Sequence, residues 1–186
     1  MLERIFFKPI LSLLATGLYL GKIPVAPGTW GSALGLFLGF VLLRYYGFFW
    51  FFWSFLAILM CSFYIIHFFA QKYKKDMDSP EIVIDEVVGM MISMAPLGSS
   101  SVEVALEEGG THVLPLLAIL PIQYAIAASF VSFLLFRFFD ILKPWPIHVL
   151  DNKIHSAFGT VIDDVVAGIF AAIVLIGIAY TGLQLL

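Results

Sequence analysis

Long apolar runs separated by short polar segments dominate the sequence. The three longest runs are 48–70, 113–139 and 161–186. At a helical rise of about 1.5 Å per residue, each run is long enough to cross a hydrocarbon core of about 30 Å. Two shorter runs, 31–43 and 82–97, can cross if they tilt or if protein surrounds their ends. The first run, 5–20, is expected to lie in the membrane interface or to re-enter rather than span.

This pattern predicts an all-α fold: a polytopic helical membrane protein with about four to five membrane helices plus a short N-terminal interfacial or re-entrant helix. The composition agrees, because 61% of the 186 residues are hydrophobic and only 12% are charged. Soluble domains average about half apolar and about a quarter charged. The length favours a single membrane-embedded domain over residues 1–186. The net charge of −3 and the lack of a basic stripe argue against a nucleic-acid partner.

The positions of lysine and arginine predict how the chain is oriented in the membrane. The segment QKYKKD at 71–76 closes the apolar run 48–70, so this end is predicted to be cytoplasmic by the positive-inside rule. The loop 98–112 contains three glutamates and no lysine or arginine, which predicts an outer loop and a peripheral insertion. The starts of the helices at 82 and 161, and the end of the run 113–139, then fall on the cytoplasmic side.

Two segments, VIDEVVG at 83–89 and VIDDVVAG at 161–168, place adjacent acids in the same apolar frame. The acids are Asp85, Glu86, Asp163 and Asp164, and Asp140 ends the helix between them. Both pairs are predicted to lie in the first turns of their helices. Acids are common there because they cap the helix and interact favourably with its dipole. Capping alone would therefore explain one such pair. Two pairs plus Asp140, in a chain this poor in charge, favour a functional site. Carboxylate oxygens are the ligands that Mg²⁺ prefers, which predicts a magnesium site at a cytoplasmic mouth.

A further polar segment, FRFFDILKPWPIHVLD at 136–151, places Arg137 and Lys143 on either side of Asp140. A cation beside a carboxylate cluster suits a substrate that brings its own negative charge, such as a phosphate. An ordinary cytoplasmic helix end would also explain Arg137 and Lys143, but it would not explain Asp140. His148 and His155 lie in the following loop, where either could carry a proton.

The segment GKIPVAPGTWGS at 21–32 carries small residues into the start of a helix. Backbone N–H groups and hydroxyls exposed there can hold a phosphate at a helix N-terminus. A Pro/Gly turn with an N-cap would have the same composition, and the spacing of a Walker P-loop is absent. Chemistry alone leaves both interpretations open for Thr29 and Ser32.

These segments resemble the phosphatidylglycerophosphatase A family. The matching pieces are PGTWGS (27–32), IVIDEVVGM (82–90), FRFFDILKPWPI (136–147) and FGTVIDDVVAG (158–168), in the order that the family has them. The resemblance implies a phosphoric monoester hydrolase of phospholipid synthesis that removes the terminal phosphate of phosphatidylglycerol phosphate with Mg²⁺. It also implies a phospholipid substrate held in the bilayer and a multi-pass protein of the bacterial inner membrane, with its active site facing the cytoplasm.

The resemblance and the residue chemistry together predict roles for individual side chains. The predicted metal ligands are Asp85, Glu86, Asp140, Asp163 and Asp164. One of these acids could instead act as the base toward the attacking water. The predicted phosphate-binding residues are Lys22, Thr29, Ser32, Arg137 and Lys143, and Lys143 is counted with the five acids as catalytic. The acyl chains are expected to stay in the bilayer while the head group enters the site.

Two other functions use similar residues. A cation transporter also needs repeated acids, but these should line a path across the membrane, whereas here they gather on one face. A metal-dependent phosphoalcohol transferase is a closer alternative, but it should show a tightly spaced D-G…A-R…G…D…D motif, which the sequence lacks. A phosphatase assay with and without Mg²⁺ separates the three functions.

Cysteines introduced singly at Ser79, Ser99 and Ser156, in a Cys61→Ala background, test the predicted topology. We expect the cysteine at position 99 to react with a membrane-impermeant thiol reagent in intact cells, and the other two to react only after the membrane is opened. The reason is that the acidic pairs can form one site only if their helix ends share one face. Labelling of positions 79 and 156 from opposite sides would contradict a single site.

Overall fold

A computed structural model describes residues 8–99, 101–105, 111–149 and 156–184. The helices are α1 (Lys8–Ala15), α2 (Pro27–Val41), α3 (Gly47–Tyr73), α4 (Ile84–Ser99), α5 (Leu116–Ile119), α6 (Ile122–Leu142) and α7 (Ala157–Gln184). A 3-10 turn spans Leu20–Lys22, a π-helical turn spans Leu42–Tyr46, and the two strands are β1 (Ser101–Ala105) and β2 (Thr111–Pro115). Among these residues the fold is a helix bundle with one small hairpin, so the helical fold predicted from the sequence is confirmed.

Three stretches of the described chain are long and apolar enough to cross a membrane, namely 27–73, 122–142 and 157–181. The first stretch contains both α2 and α3. Gly47, with a φ of +82°, allows the chain to reverse between them. As a result α2 and α3 run antiparallel, and Gly39 of α2 lies beside the ring of Phe51 in α3.

The central helix of the bundle is α4, although it has only 16 residues. It packs against α2, α3, α6 and α7, and Met90, Met91 and Met94 are fully buried. A helix that is apolar all round is expected where protein surrounds it, which explains how so short a helix can occupy the middle of the bundle. The hydroxyls of Ser93 in α4 and Ser132 in α6 hydrogen-bond at 2.8 Å, a polar contact typical of packed membrane helices.

The starts of α2, α4 and α7 meet the ends of α3 and α6 at one end of the bundle, which we call the motif end. Gly31 of α2 lies against Val83, just before α4. Lys143, at the end of α6, bonds to Asp163 of α7. The end of α3 and the starts of α4 and α7 share one apolar cluster. All four sequence motifs therefore come together at this end.

The N-terminal helix α1 also packs at the motif end. Its eight residues extend only about 12 Å, too short to span a membrane. The carbonyl of Ala15 accepts a hydrogen bond from the N–H of Val83 at 3.0 Å, and Tyr73 donates its hydroxyl to the carbonyl of Lys8. These contacts agree with the predicted short N-terminal helix, of which residues 5–7 lie outside the described residues.

The opposite end of the bundle holds the hairpin and Arg44. Strands β1 and β2 pair antiparallel; β1 lies in the predicted outer loop 98–112, and β2 continues beyond that loop to Pro115. Arg44 Nη1 donates to the carbonyl oxygens of Leu117, Ala118 and Leu120 at 2.6, 2.7 and 2.8 Å. These are carbonyls that the end of the short helix α5 would leave without partners. The guanidinium thus joins the π-helical turn to the segment that precedes α6.

Two helix starts differ from the sequence predictions. The prediction of one helix from residue 113 is wrong, because β2 continues to Pro115 and the spanning helix α6 begins only at Ile122. Pro121 lies just before that start, where its missing N–H costs nothing. The prediction that Asp163 and Asp164 lie in a first turn is also wrong, because α7 begins at Ala157 and places both acids in its second turn.

Candidate functional site

Three of the predicted metal ligands lie together at the motif end. Ligand oxygens of Asp85, Glu86 and Asp164 all lie within 4.8 Å of one another; we call this group the carboxylate cluster. Asp85 and Asp164 are only 5% and 4% exposed, and Glu86 is half-buried. The first turn of α4 supplies two of the acids and the second turn of α7 supplies the third. Such a compact set of oxygen donors is the kind that a hard divalent cation binds.

The close packing of α4 against α7 brings the two acidic pairs together. Gly89, one turn after Asp85, lies against the carbonyl of Asp164. Gly168, one turn after Asp164, lies against the carbonyl of Gly89. Small residues allow helix backbones to approach this closely. The crossing therefore matches Asp85 with Asp164, each of which stands four residues before its glycine.

Asp163 has a different partner from its neighbour Asp164. Its Oδ2 lies 2.8 Å from Lys143 Nζ, and its Oδ1 accepts the N–H of Asp164 at 3.1 Å. Adjacent residues on a helix point about 100° apart, so the two acids face different groups. Asp164 joins the carboxylate cluster, whereas Asp163 pairs with the ammonium group of Lys143.

Arg137 connects Asp140 to α2. Its Nη1 lies 2.5 Å from Asp140 Oδ2 and donates to Ser32 Oγ at 3.2 Å. Ser32 in turn donates to the carbonyl of Gly28 at 2.8 Å. Arg137 Nε and Glu86 Oε2 are buried and have no hydrogen-bond partner among the described residues. Buried polar atoms are nearly always hydrogen-bonded, so these two atoms mark a place where a ligand would complete the site.

Gly28 leaves room between the carboxylate cluster and Arg137. A side-chain carbon at this position would collide with Glu86 Oε1 and would lie 3.3 Å from Arg137 Nη1. The start of α2 therefore approaches both charged groups at a residue that has no side chain to stand between them. The sequence predicted Gly28 as one of the small residues whose backbone N–H groups could hold a phosphate at this helix start, but it did not predict the close approach to Glu86.

Other predicted site residues are tied less closely to the cluster. Lys22 is exposed, and its Nζ lies 4.7 Å from the centroid of the Tyr19 ring. Thr29 is half-buried in the first turn of α2. His148 is exposed, and His155 lies outside the described residues. The structure thus gathers the five predicted acids and two cations at one end of the bundle, and it gives Lys22 a different neighbour.

The fold and site define a helical membrane protein with a compact group of acids that suits a metal ion, and with two cationic side chains paired to neighbouring acids, at one end of its bundle. The sequence profile described as "Phosphatidylglycerophosphatase A" matches residues 13–179, which include all five acids. The chain therefore belongs to the phosphatidylglycerophosphatase A family, and the resemblance of its motifs is confirmed. Membership makes it a phosphoric monoester hydrolase of phospholipid biosynthesis.

Two bacterial relatives carry the name of this family. The chain is 39% identical over 182 residues to phosphatidylglycerophosphatase A of Haemophilus influenzae, covering 96% of this chain and 94% of the relative. It is 30% identical over 169 residues to phosphatidylglycerophosphatase A of Escherichia coli, covering 86% of this chain and 78% of the relative. No solved structure matches the chain significantly.

Gly28→Ala tests whether the close approach of α2 to the site matters. The added methyl group would collide with Glu86 and crowd Arg137, so we expect the rate of phosphate release to fall on the order of 10²-fold. Gly177→Ala is the control, because nothing lies within 4 Å of a side-chain carbon at that position. Equal phosphatase rates for the two purified variants would contradict the role assigned to Gly28.

Proposed function

We propose that the protein hydrolyses the terminal phosphate of phosphatidylglycerol phosphate, giving phosphatidylglycerol, with Mg²⁺ as its cofactor at the cytoplasmic face of the bacterial inner membrane. The family assignment supports the reaction class. The observation that carries the proposal is the carboxylate cluster with Arg137 and Lys143 beside it.

The charge balance at the motif end favours a bound divalent cation. Arg137 pairs with Asp140, and Lys143 pairs with Asp163. In the described part of the chain, no salt bridge reaches the three acids of the carboxylate cluster. Burying carboxylates without compensating charge costs several kcal/mol each. A divalent cation held by the cluster would supply that charge and a partner for Glu86 Oε2, which is buried without one.

The donor set suits Mg²⁺ in particular. The cluster consists of carboxylates alone, whereas zinc sites in proteins favour nitrogen and sulfur ligands. Mg²⁺ usually binds through a few carboxylates and completes its coordination with waters and substrate phosphate. Asp85, Glu86 and Asp164 would hold the ion. When bound, Mg²⁺ would withdraw electron density from the phosphate and make water more acidic.

Lys143 and Arg137 are placed to hold the substrate phosphate. The salt bridge to Asp163 holds the ammonium group of Lys143 at the residue that precedes Asp164 of the cluster. Arg137 presents a buried Nε without a partner among the described residues, and guanidinium N–H groups match phosphate oxygens well.

The Thr29 hydroxyl at the start of α2 would add a hydrogen bond to the phosphate. Ser32 donates its hydroxyl to Gly28 and accepts from Arg137, so it would hold the guanidinium in place. Lys22 would be a further cation for the head group.

Hydrolysis at this site needs one water molecule and one proton acceptor. The water oxygen attacks phosphorus, the bond from phosphorus to the glycerol oxygen breaks, and inorganic phosphate leaves. One of the five acids accepts the proton of the attacking water. That acid then gives the proton to the glycerol oxygen as phosphatidylglycerol forms, and the remaining hydrogen of the water stays on the released phosphate. The deep burial of Asp85 and Asp164 keeps the surrounding charges in a medium of low dielectric, where they act more strongly on the phosphate.

The motif end also has the features of a membrane surface. Trp30 and Trp145 are 44% and 80% exposed there, and tryptophan is enriched at membrane–water interfaces. Lys72, Lys74 and Lys75 lie at the end of α3 on the same side. The positive-inside rule therefore favours a cytoplasmic motif end. The acyl chains would remain in the bilayer, and only the phosphorylated head group would enter the site.

Removal of metal tests the proposed cofactor. Purified protein treated with EDTA is expected to release almost no inorganic phosphate from phosphatidylglycerol phosphate in mixed micelles, and added Mg²⁺ should restore the rate. EDTA already saturated with Mg²⁺ serves as the control for effects of the chelator itself. Full activity in metal-free protein would refute the proposed mechanism.

Substitutions of single acids separate the proposed metal ligands from the acid that positions Lys143. We expect Asp85→Asn and Asp164→Asn to cost on the order of 10²-fold or more in rate and to raise the Mg²⁺ concentration needed for half-maximal activity. Asp163→Asn should lower the rate while leaving that concentration close to the wild-type value.

The exposed Asp76 supplies a matched control, because Asp76→Asn makes the same chemical change away from the cluster. This variant should retain near-normal kinetics. Similar losses in Asp76→Asn and Asp85→Asn would show that the effects come from general loss of charge rather than from a metal site.

A further inference from the structure

The backbones of α4 and α7 are in direct contact at two glycines. A side-chain carbon added at Gly89 would lie 2.6 Å from the carbonyl oxygen of Asp164, and one added at Gly168 would overlap the carbonyl oxygen of Gly89. Real Cβ atoms essentially never approach other atoms within 3.0 Å. At Gly89 the ring of Phe136 in α6 would be equally close, at 2.6 Å. The two carbonyl oxygens, however, belong to the backbone, so no rotamer change can move them out of the way. A larger residue at either position requires the two helices to move apart.

The register of the glycines links this crossing to the carboxylate cluster. Gly89 follows Asp85 by four residues, and Gly168 follows Asp164 by four residues. Residues four apart lie on the same face of a helix, one turn from each other. The face through which α4 touches α7 is therefore the face that carries the two acids. If α4 and α7 move apart at the crossing, Asp85 and Asp164, one turn away, move apart as well.

We infer that Gly89 and Gly168 are positioning residues that set the distance between Asp85 and Asp164, and through it the affinity of the site for a divalent cation. This inference rests on the proposed metal-dependent function. Mg²⁺ requires oxygen ligands at about 2.0–2.1 Å in nearly ideal octahedral geometry. Helices pushed apart by a methyl group would hold the carboxylates too far apart to bind the ion together.

Gly35 of α2 provides a control, because it contacts α4 at Val87 and Met90 rather than at the crossing with α7. A side-chain carbon at Gly35 of α2 would lie 2.9 Å from both the Val87 carbonyl oxygen and Met90 Cβ. The steric conflict is of the same kind but milder than at Gly89 and Gly168, and α2 contributes no residue to the carboxylate cluster. Gly35→Ala should therefore disturb packing without changing the separation of the cluster's carboxylates.

The test measures binding of Mn²⁺ by electron paramagnetic resonance to EDTA-stripped, detergent-solubilised full-length protein. We expect Gly89→Ala and Gly168→Ala each to weaken binding on the order of 10-fold, the size of effect seen when groups that orient metal ligands are lost. Gly35→Ala should lower the melting temperature but keep the dissociation constant close to that of the wild type. In Gly89→Ala, the further change Asp164→Glu should recover part of the affinity, because the longer side chain can bridge the widened gap.

The outcomes separate this inference from the proposed function. Wild-type protein that fails to bind Mn²⁺, or Asp85→Asn protein that binds it normally, would refute the metal site itself. Suppose instead that wild type binds and Asp85→Asn does not. In that case, normal Mn²⁺ affinity in Gly89→Ala and Gly168→Ala would overturn the inference. It would also be overturned if these two variants failed to fold while Gly35→Ala folded. Either result would assign Gly89 and Gly168 to packing alone. Failure of Asp164→Glu to recover any affinity would overturn it as well.

Discussion

The burial of several carboxylates inside a membrane helix bundle is the constraint on which the rest of this structure depends. Asp85 and Asp164 are almost inaccessible, and their oxygens lie within 4.8 Å of those of Glu86. Like charges held this close in a medium of low dielectric repel strongly unless an opposite charge joins them. The arrangement therefore favours a site that takes up positive charge. Arg137 and Lys143 approach from α6 but pair with Asp140 and Asp163, so in the described part of the chain they form no salt bridge with the three acids of the cluster.

This constraint explains the unusual place of α4. A short helix in the centre of the bundle is shielded from lipid by its neighbours, so it can begin with two acids and still bury its remaining length among apolar side chains. Its acids stay at the motif end, where the exposed side chains of Trp30 and Trp145 also lie. At the opposite end of the bundle a half-buried charge is stabilised differently, because Arg44 donates to three backbone carbonyls rather than pairing with an acid.

The repeated acidic motif performs different tasks in its two copies. In the second copy, Asp164 turns toward the carboxylate cluster while Asp163 turns toward Lys143. In the first copy, both Asp85 and Glu86 belong to the cluster. One extra residue, Ala167, lies before the glycine of the second copy. Because of this residue, Asp163 precedes its glycine by five residues, whereas Asp85 precedes its glycine by four. Asp164 rather than Asp163 therefore occupies the position equivalent to Asp85 on the contact face.

The sequence by itself determined the helical membrane fold, the family and the set of acids to consider. Each apolar run of spanning length indicates a membrane helix from its own residues alone. The motifs around Asp85, Asp140 and Asp163 indicate the family, because they occur in a recognisable order. The start of α6 was predicted wrongly from the sequence, because the apolar residues from 113 to 115 suit a strand of the hairpin as well as a helix.

Only the tertiary structure decided which acids are neighbours. That Asp164 rather than Asp163 joins Asp85, and that Gly28 makes room for Glu86, depends on how helices far apart in the sequence cross. A helical period indicates which face of each helix is apolar, but it carries no information about the distance or rotation of one helix relative to another. Those quantities arise from backbone contact at Gly89 and Gly168, between segments nearly eighty residues apart.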